Sequence, residues 1–107
     1  MYGVTPLQEA AKRGLSEVVK LLLAGGAHIG TVGKDGQTSL HLAACRGAAE
    51  VIRLLLAGGA QTEATNKKGQ TPLHEAADRG LSAVVRLLLA GGAQTEAVDK
   101  VRRMSER

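Results

Sequence analysis

Residues 69–93 read GQTPLHEAADRGLSAVVRLLLAGGA. The same pattern stands 33 residues earlier as GQTSLHLAACRGAAEVIRLLLAGGA (36–60), and 33 earlier again as GVTPLQEAAKRGLSEVVKLLLAGGA (3–27). Aligned as 3–35, 36–68 and 69–101, the second and third units agree at 23 of 33 positions and the first and third at 22 of 33. Self-similarity at a fixed period of this length signals stacked supersecondary units, and here it covers nearly the whole chain. Only Met1-Tyr2 and the basic tail 102–107 fall outside the units.

Each unit reads as helix, turn, helix, loop. Thr5, Thr38 and Thr71 precede an apolar pattern, with Pro6 and Pro72 next in two of the three units. A threonine hydroxyl at the N-cap satisfies a free amide, and proline at the first helical position surrenders no needed hydrogen bond. Gln8 stands three after Thr5, the spacing of a capping box. The first helix is expected to run to about Arg13, Arg46 or Arg79 and to stop at Gly14, Gly47 or Gly80 in a left-handed C′ conformation. The second carries the Leu-Leu-Leu run and ends at Gly25-Gly26, Gly58-Gly59 or Gly91-Gly92. Tight turns are expected at Lys34-Asp35-Gly36 and Lys67-Lys68-Gly69.

Such helices, about 8–10 residues long, are too short to persist alone in water. Their apolar circumference must be covered by neighbours, and the alanine pairs 10–11, 43–44 and 76–77 let those neighbours approach closely. Composition agrees. Of the 47 apolar residues, 41 are Leu, Ala or Val, and the one aromatic is Tyr2. That core suits close helix packing and suits a sandwich poorly. A length of 107 residues bounds the chain to one domain. The short apolar runs exclude a membrane span, and no signal peptide is visible. Cys45, the single cysteine, fits a reducing compartment, cytoplasm or nucleus.

These residues closely resemble the ankyrin repeat, whose pattern opens Gly-x-Thr-Pro-Leu-His-x-Ala-Ala and continues through a Gly to Val-Val-x-Leu-Leu-Leu-x-x-Gly-Ala. The resemblance implies an all-α solenoid: three stacked helix-turn-helix units with protruding hairpin loops and a concave binding face. It further implies a protein-binding scaffold or adaptor without catalysis of its own. The chain departs from the pattern in places. Ser39 replaces the usual proline, which weakens preorganisation at that helix start. Gln8 replaces the usual His. His28-Ile29-Gly30, Gln61-Thr62-Glu63 and Gln94-Thr95-Glu96 stand where many units carry Asp-Val-Asn, so the asparagine hydroxylated in some members is absent. A fourth unit stops after Asp99-Lys100, because Arg102 and Met104 stand where Gly and Thr are needed.

The chemical candidates have plainer readings. His41 and His74, one period apart, are too distant to share a metal and are expected to bond backbone near the loops. His28 is expected in a loop. Cys45 has no base or oxyanion site in view, and the spaced glycines match no phosphate-loop motif. No cofactor, metal or catalytic residue is assigned.

The basic residues are more informative. Arg13, Arg46 and Arg79 recur as one column, preceded by Lys12, Cys45 and Asp78; Lys34, Lys67-Lys68 and Lys100 form another at the hairpin tips. With Asp35 and Asp78 included, these two columns carry +6 against +4 for the whole chain. The expected partner is an acidic protein or peptide steered into the groove. Its assigned contacts are these residues together with Tyr2, Val4, Gln37 and Gln70. Nucleic-acid binding through the same columns is the alternative; one tyrosine supplies almost no stacking platform. A truncated or engineered scaffold without a native partner is the third reading. The terminal units are as apolar as the middle one, whereas solenoids ordinarily carry polar caps. That favours excision from a longer array over two alternatives, coverage by the tail 101–107 and end-to-end self-association.

Overall fold

The computed structural model describes residues 5–33 and 35–92. Among the described residues six helices occur in chain order: α1 (Pro6–Arg13), α2 (Ser16–Ala24), α3 (Ser39–Arg46), α4 (Ala49–Ala57), α5 (Pro72–Asp78) and α6 (Ser82–Ala90). Consecutive helices pair as α1·α2, α3·α4 and α5·α6. The odd-numbered helices pack on one another in one row and the even-numbered in a second. The result is an all-α repeat stack.

The helix starts follow from the threonines. Thr5, Thr38 and Thr71 are extended N-caps whose hydroxyls accept the amides of Gln8, His41 and His74. The side chains of those residues return a bond to the threonine amide, so each start is a complete capping box. Gln8 thus does for α1 what histidine does for α3 and α5. At the other end Gly14, Gly47 and Gly80 take positive φ (69°, 77° and 69°), as the sequence predicted. α5 ends one residue early, at Asp78, with Arg79 as its cap. At the N-caps of α2, α4 and α6, Leu15, Ala48 and Leu81 offer no side-chain bond, so packing holds those starts.

The core is a ladder of equivalent aliphatics. Leu7, Leu40 and Leu73 are buried in successive units, as are Ala10, Ala43 and Ala76. Val19, Ile52, Leu55 and Leu88 fill the space between the helix rows. Burying each such side chain contributes about 1.5–3 kcal/mol. The alanines keep the row α1, α3, α5 tight, because larger side chains there would force the layers apart.

His41 is fully buried and ties two units together. Its Nδ1 accepts the Thr38 amide at 3.2 Å, so Nε2 carries the proton and donates to the Gln70 carbonyl at 2.8 Å. His74 bonds Thr71 in the same way. Both histidines bond backbone near the loops, and His28 lies in a loop as expected.

Candidate functional site: the inner helices and hairpins

The loops between units double back as turns. Gly33 donates its amide to the Gln37 carbonyl and Gly36 to that of Gly33; Asn66 and Gly69 repeat the arrangement with Gln70 and Asn66. Gly36 and Gly69 supply the positive φ (77° and 74°). The two turns touch through the Lys67 amide, which donates to the Asp35 carbonyl at 3.0 Å. A Cβ on Gly36 would lie 3.0 Å from the Lys67 nitrogen and 3.1 Å from the Asn66 Cα, so only glycine permits this approach.

Asn66 organises the polar side of the hairpins. Its Nδ2 donates to Gln37 Oε1 at 2.7 Å and to Gln70 Oε1 at 3.2 Å. Its Oδ1 accepts the amides of Lys68 and Gln70. Gln37 Nε2 reaches Glu75 Oε2 at 3.5 Å. Gln37, assigned above to partner contact, therefore braces one hairpin against the next, and Gln70, assigned likewise, braces its own hairpin. Asp35, Lys67 and Lys68 stand exposed around them.

The last turns of α1, α3 and α5 bear Lys12-Arg13, Cys45-Arg46 and Asp78-Arg79, and all but Cys45 are exposed. The three arginines occupy equivalent positions on consecutive packed helices. There they also complement the negative end of each helix dipole. Cys45 is half-buried beside Glu75 and Arg79; burial pushes its thiol pKa up, the Glu75 charge adds to this, and Arg79 opposes it. The thiol is thereby kept protonated and unreactive near neutrality.

Three residues of this surface were overlooked in the sequence. Glu9 and Glu75 lie four residues before Arg13 and Arg79, the spacing at which opposite charges face each other on a helix. They reduce the excess of positive charge computed from the two columns alone. The middle unit differs, since half-buried Leu42 precedes Arg46 at that spacing. The spacing alone could have revealed all three. Asn66 was also legible, because an asparagine just before Lys-Lys-Gly is a turn-forming signature. Tyr2, Val4, Lys34 and Lys100 lie outside the described residues.

Between the first two loops lies a cavity of about 350 Å³ lined by residues that include Ile29, Val32, Leu40, Ala60 and Ala64, with no ionisable side chain among the described residues of its walls. Among the described residues no three His, Cys, Asp or Glu side chains gather to hold a metal. No helix there is long and apolar enough to cross a membrane.

A comparison with curated proteins returned no match. The family model for ankyrin repeats, in three copies, matches residues 7–99. Members of this family are generally protein–protein interaction modules and typically not enzymes. With capped helix pairs stacked in two rows, braced turns and a match over most of its length, the chain belongs to the ankyrin-repeat family.

Proposed function

We propose that the chain is a non-catalytic adaptor whose inner row of helices, α1, α3 and α5, with α2, α4 and α6 forming the outer row, binds an acidic protein segment, centred on Arg46. The observation that carries this is local. Arg46 is exposed, has no acidic residue one turn before it, and has half-buried Leu42 and Cys45 on its own helix. Glu9 and Glu75 stand one turn before Arg13 and Arg79 and lower the local positive potential there without closing to an ion pair, so Arg46 keeps the most positive surroundings of the three for a partner's carboxylate. Leu42 and Cys45 offer apolar surface to whatever side chain flanks that carboxylate. Lys67 and Lys68 at the hairpin, and Lys12 at one side, steer the approach. The single free thiol suits a reducing compartment such as cytoplasm or nucleus.

The test is affinity capture followed by fluorescence anisotropy with acidic peptides. Arg46→Glu is expected to weaken binding about tenfold or more, a change of about 1.4 kcal/mol. An Arg13/Arg46/Arg79 triple Glu variant is expected to abolish it. Arg53→Glu, on the outer helix α4 where Arg53 pairs with Glu50, serves as control. Equal binding by the Arg46 and Arg53 variants would overturn the reading. A steep salt dependence with DNA or RNA, exceeding that for peptides, would favour nucleic acid instead.

A further inference from the structure

The two ends of the stack present matching faces. Val18, Val51 and Val84 are equivalent, yet Val18 is 42% exposed while Val51 and Val84 are 1% and 3%. The difference arises because α4 packs on α2 and α6 on α4, whereas no described helix covers that side of α2. Leu15 and Leu21, on the same side, are 41% and 65% exposed. Together these three make an apolar face at the α2 end.

The opposite end carries the sockets into which such a face fits. Between the second and third units, a Cβ on Gly47 would lie 3.6 Å from both methyls of Leu81. Leu15 is the counterpart of Leu81, and Gly80 the counterpart of Gly47. Nothing lies within 4 Å of a Cβ placed on Gly80. Around it is an open hollow of about 290 Å³ lined by Ala77, Gly80, Ser82, Val85 and Arg86. Ala44 and Ile52, the counterparts of Ala77 and Val85, are fully buried by the unit above them.

A second pair runs the other way. Leu56 reaches across a unit boundary so closely that a Cβ on Gly91 would meet its Cδ1 at 2.8 Å. Leu89, the counterpart of Leu56, is 37% exposed. Gly25, the counterpart of Gly91, has only its own helix's carbonyls within 4 Å.

We propose that two copies of this chain associate head to tail, Leu15 of one entering the Gly80 hollow of the other while Leu89 packs on Gly25. The contact repeats the interface formed between the second and third units, and a second copy supplies both halves. It is heterologous, so further copies can add in the same sense. Within the chain the linker supplies a high effective concentration, and between chains that advantage is absent. Association is therefore weak and concentration-dependent.

Sedimentation equilibrium of the full chain tests this. The weight-average mass is expected to rise from monomer to at least double across the high-micromolar range. Val18→Glu and Leu89→Glu, both at exposed positions, are each expected to remain monomeric with unchanged helical circular dichroism. Mixed together they are expected to form a one-to-one dimer and stop there, because each retains the face the other has lost. A wild-type chain that stays monomeric would overturn the proposal. So would self-association of the Leu89→Glu variant alone, or a mixture that stays monomeric.

Discussion

Replacing Ser39 by proline is expected to stabilise the chain. Ser39 is the first residue of α3, fully buried, and its hydroxyl has no hydrogen-bond partner. Its counterparts are Pro6 and Pro72. The preceding threonines have nearly the same backbone, with ψ of 160°, 171° and 166° for Thr5, Thr38 and Thr71, all in the extended region that a following proline requires. The site is thus already shaped for proline. Restricting the unfolded chain contributes about 0.4–1 kcal/mol. Removing a buried, unsatisfied hydroxyl adds up to about 1 kcal/mol more, at the low end for such groups. The sum, about 0.4–2 kcal/mol, corresponds to a rise in melting temperature of roughly 2–10 °C for a domain of this size. Urea denaturation followed by circular dichroism measures it, with the slope m expected to stay constant. Ser39→Ala isolates the hydroxyl's share and is expected to give a smaller gain than Ser39→Pro. A neutral or destabilising Ser39→Pro would refute the reasoning, since it would mean that α3 does not start as α1 and α5 do.

Three further outcomes follow from the same structure. Gly36→Ala and Gly69→Ala carry the same strain of positive φ, about 1–2 kcal/mol, but only Gly36 faces neighbouring backbone, so its variant should be distinctly the less stable in urea. His41→Ala should cost about 2–4 kcal/mol, because it strands the buried Thr38 amide, removes one of two bonds to the Gln70 carbonyl and opens a cavity, and half-buried His74→Ala should cost clearly less in the same assay. Cys45 should react with iodoacetamide more slowly in the folded chain than in urea at neutral pH, with the gap closing as pH rises through the raised folded pKa. Glu75→Gln should speed the reaction and Arg79→Gln should slow it. By linkage, the stability associated with the protonated Cys45 thiol is fully present below the unfolded pKa and lost as pH rises through the folded one.

The helices, their caps and their stops were legible because threonine, proline and glycine act locally. The αL glycines at 14, 47 and 80 and the Thr5–Gln8 capping box needed no tertiary information. The end of α5 falls at Asp78, one residue before Arg79, because it depends on how the last turn closes and not on residue type. The candidate site was less legible. The arginine column could be read from the period, but the roles of Gln37 and Gln70 could not. Their occupation depends on Asn66, which reaches Gln37 in the neighbouring hairpin, a contact 29 residues apart in sequence, and Gln70 within its own. Likewise, Ser39 was recognised as a missing proline, while the isolation of its hydroxyl followed only from packing.

The central claim is that successive units cover one another in register, and methyl–Hα cross-peaks in a nuclear Overhauser spectrum measure that directly. Three of the contacts that cross unit boundaries at glycine bring in a Leu or Ile methyl: the Leu81 methyls on Gly47, the Ile29 Cδ1 on Gly58 and the Leu56 methyls on Gly91. The account predicts all three cross-peaks in the dilute chain. Their absence in a chain with native helical content, or cross-peaks joining these methyls to glycines of other units, would contradict it.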